Sequence, residues 1–324
     1  MPNVIRVHEH GGPEVMRWEH EDTRAPAAGE ARVRHTAVGL NFIDVYERTG
    51  LYPGPLPTRL GHEAAGVVEA LGKGVRGVRV GDRVAYAVDT RGAYADEGIV
   101  RADRLVPVPD DVSDRLAAAA LLKGMTAQVL LRRTYKVTRG TVVLVTAAAG
   151  GVGSILVQWA RHLGATVIGV VGSEAKVAAV RALGCDEVLV AGRDDVPARV
   201  RALTGGRGAH VAYDSVGKDT FTASLDSLRP LGLMVTYGNA SGPVPPLAPL
   251  ELARRGSLFL TRPVLFTYVA NRTDLLRAAK DTFEMIGRGA VRVEIGQTYA
   301  LRDAPQAHRD LQERRTVGST VLLP

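Results

Sequence analysis

The hydrophobic pattern changes character about a third of the way along the chain. Up to about residue 120, short β-branched runs alternate with glycine and proline turns, which predicts a β-rich region. Its strands are expected at Val4–Val7, Ala31–Val38, Ala64–Glu69 and Arg83–Tyr86. Asp114–Leu131 is rich in alanine and leucine and predicts a helix interrupted near Gly124. Strands and helices then alternate: Val142–Thr146, Thr166–Val171, Glu187–Val190, Val211–Tyr213 and Leu233–Gly238 as strands, with helices between. Such alternation implies a parallel sheet covered on both faces. After about residue 258 the regularity fades, leaving a short tail with a strand at Val291–Val293, a helix at Ala304–Arg314 and a last strand at Gly318–Leu323. That tail lacks room for its own core and is expected to pack back on the first region. The expected parts are therefore residues 1–123, an inserted 124–260, and a return over 261–324.

The most informative stretch runs from Val142 to Ser154, Val-Val-Leu-Val-Thr-Ala-Ala-Ala-Gly-Gly-Val-Gly-Ser. A buried strand enters a glycine turn that opens straight into a helix. Glycines there let the backbone approach a pyrophosphate, and the helix start offers unpaired N–H groups and a positive dipole end. The loop reads Ala147-x-x-Gly150-x-x-Gly153 rather than the usual three glycines, but strand, loop, helix and second strand follow in the right order. The end of the second strand indicates which dinucleotide. An acid there holds the ribose of NAD; here Gly172 takes that place, followed by Ser173 and Lys176. A hydroxyl and an ammonium suit a 2′-phosphate, so NADPH is expected.

Composition sharpens this only in part. With 324 residues, 46% hydrophobic and 23% charged, the chain is an ordinary globular one of about two domains. No apolar run approaches the ~20 residues that cross a bilayer, and no leader pattern is evident at Met1–Arg6. The single cysteine, Cys185, excludes an internal disulfide and a multi-cysteine zinc site. A cytoplasmic protein is expected. The net charge of +7 invites a nucleic-acid partner, but only six of the 41 basic residues are lysines and the arginines are interleaved with acids along the whole chain. Without clustering, the charge argues against nucleic acid.

Over its full length the chain resembles the zinc-independent quinone oxidoreductases related to zeta-crystallin, within the medium-chain dehydrogenase/reductase superfamily. The carrying segments are His10–Val15, Val38–Tyr46, Gly50–Pro53, Lys123–Thr126, Ala147–Gly153 with Gln158, Tyr213–Gly217, Gly232–Asn239 and Thr261–Pro263. The resemblance implies an α/β chain: a Rossmann doubly wound parallel sheet plus a GroES-like β-rich catalytic domain, joined as a homodimer through the Rossmann sheets. It places NADPH in the cleft between the domains, with Gly150, Gly151, Val152 and Gly153 at the pyrophosphate and Gly172, Ser173 and Lys176 near the 2′-phosphate. It also implies Ser215, Tyr237, Asn239 and Arg314 along the cofactor, and Asn41, Phe42 and Tyr46 beside the nicotinamide. Two departures stand out: Ala191 replaces a tyrosine often found near the adenosine ribose, and Gln128 and Val129 occupy the place of a frequent aromatic.

The expected reaction is metal-independent hydride transfer from NADPH to a quinone. Oxyanion donors are then needed, and Asn41, Tyr46, Tyr52 and Arg262 are the candidate catalytic residues. Gly61-His62-Glu63 matches a segment that supplies a zinc ligand in related alcohol dehydrogenases, but their cysteine ligand falls at Asn41. A catalytic zinc needs about three protein ligands, so no metal is expected and His62 is read as a hydrogen-bonded residue. The nearest alternative is an NADPH-dependent reductase of enone or enoyl double bonds; one of another class is an NADPH-regulated RNA-binding or structural protein.

Overall fold

The computed structural model describes residues 2–324. These residues form two compact units. The first comprises residues up to Met125, then Val269–Gly287 and Val293–Pro324; the second comprises Thr126–Tyr268 and Arg288–Arg292. The second unit thus runs past the expected limit at 260, because the strand Phe259–Thr261 pairs with Leu228–Thr236 and carries the chain on with it. Among the described residues, no helix is long and apolar enough to cross a membrane.

The second unit is a six-stranded parallel sheet. Its order is Glu187–Val190, Thr166–Val171, Val142–Val145, Ala209–Asp214, Leu228–Thr236 and Phe259–Thr261. The chain starts at the middle strand, winds outward to one edge, then returns to wind toward the other. This is a doubly wound sheet, and its switch point lies between Val142–Val145 and Ala209–Asp214. The strands are largely apolar, with Leu144, Ala212 and Met234 fully buried. Leu144→Ala would open a cavity costing about 2–5 kcal/mol.

The first unit is built on a β-sheet in which the long strand Glu30–Leu40 pairs with Glu63–Leu71, Glu97–Arg101 and Ser319–Leu323. The chain's last strand therefore returns to the sheet of its first segment. Its core gathers Ile5, Val33, Val38, Leu60, Val84, Leu105 and Leu322.

Three expectations in the tail and the long helix are corrected. Val291–Val293 is no strand; the strand is Ile295–Ala300. The Gln158 side chain pairs with the backbone of Arg292 in both directions, at 2.8 and 2.9 Å, and takes the groups a sheet would have used. The last helix, Ala304–Gln312, stops two residues early, and Arg314 follows it at φ +62°. The long helix is not broken at Gly124 but runs continuously over Asp114–Val129. Gly124 serves packing instead: a Cβ there would lie 2.2 Å from Thr282 Cγ2 on the helix Arg272–Gly287.

A buried polar network fixes the short helix Phe42–Arg48 in the first unit. The Asp44 carboxylate accepts the Asn41 N–H at 2.8 Å and the Tyr94 hydroxyl at 3.0 Å. The Tyr94 oxygen also lies 3.0 Å from His308 Nε2. Burial pushes Asp44 up from 3.8 to about 7, against the charge of His62 and the hydrogen bonds it accepts. Burial pushes His308 down to about 3, aided by Arg48, so its ring is neutral at neutral pH.

Folded Asp44 therefore holds a proton that the unfolded chain has lost, and stability drains away as pH rises between about 4 and 7. Asp44→Asn keeps an acceptor for Asn41 and Tyr94 while removing that titration. The Tm of this variant minus that of the parent is expected to increase steadily over this window and level off above it, as read by thermal melts at matched ionic strength.

Candidate active site

The sheet's switch point carries the phosphate loop. Residues Ala147 to Gly153 follow the strand Val142–Val145, and the helix Gly151–His162 begins within them. Thr146 N–H donates to Tyr213 O at 3.0 Å and Ala148 N–H to Val170 O at 3.0 Å, so the loop is tied to both neighbouring strands. Ala147 stands at φ +48°, in the left-handed region that favours glycine, one residue before the place where the usual motif has its first glycine. At Gly153 a Cβ would lie 2.2 Å from Ala147 O. Only glycine permits that approach of helix to loop. The helix cap, Gly150, offers no side chain to the first N–H groups. They remain for an anion, as a pyrophosphate requires.

The next strand end carries the residues expected near a 2′-phosphate. Gly172 faces open space. Ser173 then caps a short turn containing Lys176. Glu174, the acid next in sequence, points to Arg193, with which it forms an exposed ion pair. Arg193 in turn holds Asp194 at 2.9 Å. The acid beside Ser173 is thus engaged by the neighbouring loop.

Across the switch point, Asp214 organises the turn that carries Ser215. Its buried carboxylate accepts Val216 N–H (3.0 Å), Gly217 N–H (2.9 Å), Thr220 Oγ1–H (2.6 Å) and Ser224 Oγ–H (2.7 Å). That turn is sewn to the loop bearing Tyr237 and Asn239: Tyr237 N–H reaches Asp214 O at 2.8 Å and Ala240 N–H reaches Ser215 O at 3.2 Å. Arg262 joins the same group. Its Nη1 donates to Thr236 Oγ1 and Gly238 O, at 3.1 and 3.0 Å. With the Asn239 amide set to satisfy its neighbours, that side chain donates to Gly238 O and accepts from Arg262 Nη2 at 3.1 Å. Ser215, Tyr237, Asn239 and Arg262 lie on these two joined loops, and Arg262 braces the one that bears Tyr237 and Asn239. Asp214 is the organiser that the residue-by-residue reading passed over. Its signal was the run Tyr213–Gly217, where an acid ends a buried strand.

In the first unit, Asn41, Phe42 and Tyr46 begin and line the helix Phe42–Arg48. Phe42 and Tyr46 have ring centroids 6.0 Å apart, and Tyr46 and Tyr52 meet edge-on at 5.2 Å. Tyr52 N–H donates to Tyr46 O at 3.0 Å, which fixes the second ring beside the first. Arg314 lies exposed just beyond the helix Ala304–Gln312 of the same unit.

His62 is buried and faces protein on both ring nitrogens. Nδ1 lies 2.7 Å from Val88 O and Nε2 lies 2.9 Å from Glu47 Oε1. Arg91 Nε reaches the same carboxylate oxygen at 2.9 Å. Burial alone would lower the His62 pKa, but the Glu47 hydrogen bond and the charges of Asp44 and Glu47 outweigh it and raise it. With both ring nitrogens directed at protein oxygens, His62 presents neither to a metal. Among the described residues, no group of three or more His, Cys, Asp or Glu is arranged to hold a metal ion.

Comparison with known proteins agrees with this architecture. Residues 27–110 match the alcohol dehydrogenase GroES-like domain, and residues 151–309 match the zinc-binding dehydrogenase family. The chain is 47% identical to a quinone oxidoreductase of Pseudomonas aeruginosa, over 100% of both chains. It is 45% identical to a 2-haloacrylate reductase of a Burkholderia species, over 98% of both. The Escherichia coli quinone oxidoreductase, solved in complex with NADPH, superposes with a TM-score of 0.97 at 43% identity, covering 99% of this chain and 100% of that one. With its doubly wound sheet, its glycine cradle and this end-to-end similarity, the chain belongs to the quinone oxidoreductase family of the medium-chain dehydrogenase/reductase superfamily.

Proposed function

We propose that the protein is an NADPH-dependent quinone oxidoreductase that works in the cytoplasm without a metal ion. The observation that carries the reading is the uncapped loop-to-helix cradle at the switch point, in a chain that matches quinone oxidoreductases over its full length. NADPH, when bound, supplies the hydride. Gly150, Gly151, Val152 and Gly153 face the pyrophosphate; Gly150 N–H closes the loop onto Ala147 O at 2.8 Å, and the N–H groups of Gly151, Val152 and Gly153 hold the anion, while Ser173 and Lys176, beside Gly172, take the 2′-phosphate. Ser215, Tyr237 and Asn239 line the dinucleotide, and Arg314, Asn41 and Phe42 contribute from the first unit. The Tyr46 and Tyr52 hydroxyls donate toward the quinone oxygen as negative charge builds on it, and the Arg262 guanidinium adds a positive field. Solvent or a tyrosine hydroxyl supplies the proton.

Metal independence rests on ligand chemistry. The position of a would-be thiolate is Asn41, whose amide nitrogen faces Glu63 at 3.0 Å. His62 is engaged by Val88 and Glu47. A second substrate class, electron-poor alkenes, is favoured by one specific observation, the 45% identity to a 2-haloacrylate reductase. Both reactions deliver a hydride to a carbon skeleton that develops an oxyanion, and the same donors serve both.

The homodimer is proposed from the sheet edge. Phe259–Thr261 is an edge strand, with Phe259 59% and Leu260 39% exposed, beside the exposed Val264 and Leu231. An unpaired apolar edge invites pairing with the same strand of a second copy about a two-fold axis.

Three outcomes follow. Chelator-treated protein should keep its full NADPH-quinone turnover, measured anaerobically with 1,4-benzoquinone and beside an enone panel; loss restored by zinc would refute the metal-free reading. Lys176→Glu should raise the KM for NADPH by about tenfold or more, the scale of one charge-assisted phosphate contact, and leave that for NADH nearly unchanged. Phe259→Asp should convert a dimer in light scattering to a monomer.

A further inference from the structure

Glu63 is a fully buried carboxylate of the first unit that the proposed reaction does not use. It is 0% exposed, while Asn41 and Lys123 around it are 7% and 5% exposed. Its Oε1 accepts the Leu122 N–H at 2.6 Å. Its Oε2 accepts the Asn41 amide at 3.0 Å and lies 3.3 Å from Lys123 Nζ. Even the strand beside it is adapted: a Cβ at Gly39 would lie 2.4 Å from Glu63 Oε2. Three donors converge on one carboxylate, and the ammonium compensates its charge.

This arrangement decides what Asn41 offers to a ligand. An asparagine amide presents a donor at one end and an acceptor at the other. Here Nδ2 faces two groups that can only accept, Glu63 Oε2 and, at 3.4 Å, Gly39 O. A reversed amide would set its oxygen against a carboxylate and a carbonyl. The nitrogen is therefore committed inward; the oxygen faces the Asp44 N–H in the capping box of the helix Phe42–Arg48 and keeps a second lone pair as the group for a ligand. That revises the expectation that Asn41 donates to a developing oxyanion. A quinone such as 1,4-benzoquinone has only acceptor oxygens and no matching hydrogen to give. The dinucleotide has hydroxyl and carboxamide donors.

We propose that Glu63 is a positioning residue that locks Asn41 as a hydrogen-bond acceptor for a hydroxyl or N–H donor of NADPH, so that Asn41 serves the cofactor and not the quinone. This rests on the reading of Asn41 as a cofactor residue given above.

The test is a reciprocal exchange read by NADPH fluorescence titration, with steady-state KM values for NADPH and quinone and a thermal melt for each variant. Asn41→Ala is expected to weaken NADPH binding about tenfold, the scale of one hydrogen bond to a ligand, and to leave the quinone KM within about twofold. Asn41→Asp sets two carboxylates face to face and should weaken NADPH at least as much. Combining Asn41→Asp with Glu63→Gln restores one carboxylate, one amide and the net charge beside Lys123. The introduced amide then donates to the introduced carboxylate, whose second oxygen still faces the ligand. NADPH affinity should return to within about threefold of the parent, a non-additive rescue that independent sites do not show. Because the exchange conserves charge, it remains informative even if Glu63→Gln alone does not fold. If Asn41→Ala leaves NADPH affinity unchanged, the cofactor reading of Asn41 falls, and this proposal with it. If Asn41→Ala weakens NADPH but the exchange binds no better than Asn41→Asp, only the positioning role of Glu63 falls. A rise confined to the quinone KM would overturn the acceptor assignment.

Discussion

The nucleotide-binding unit depends on one close approach. The carbonyl of Ala147 comes so near the helix Gly151–His162 that no side chain fits at Gly153. This brings the helix start directly over the strand end, where its free N–H groups converge. The same loop is tied to the strands on either side through Thr146 and Ala148. The phosphate cradle proposed for this loop is thus a property of packed backbone: Ala147 tolerates its positive φ, while the contact with Ala147 O leaves no room for a side chain at Gly153. A strained alanine costs about 1–2 kcal/mol; a Cβ driven into a carbonyl costs the fit of the whole helix.

Buried carboxylates arrange the rest. Asp214 holds the turn of Ser215 with four donors, Asp44 holds the start of the helix bearing Tyr46, and Glu63 holds Asn41. A buried carboxylate is costly unless its lone pairs are satisfied. Satisfaction fixes geometry, and these acids act through the residues they orient. Glu47 does the same for His62 and Arg91, which turns a would-be metal ligand into part of an internal charge cluster.

Much of this was legible in the order of residues. The strands Thr166–Val171 and Glu187–Val190 fall where apolar runs end at turn signals, because a fully buried parallel strand must be apolar along its length. The phosphate loop was legible because its chemistry is local: strand, turn and helix follow without a break. The tail was read less well. Val291–Val293 is apolar enough for a strand, yet Gln158, 134 residues away, claims the backbone of Arg292. Gly124 looked like a helix break, yet it marks contact with a helix remote in sequence.

By itself, the sequence determined the class of fold, the dinucleotide loop and the absence of an acid at Gly172, since each depends on neighbours within a few residues. The tertiary structure alone decided the direction of the Asn41 amide, the occupation of His62 and the turning of Glu174 toward Arg193. The physical reason is that hydrogen-bond direction and charge pairing are set by partners brought from distant strands and helices, and those partners leave no local mark in the chain.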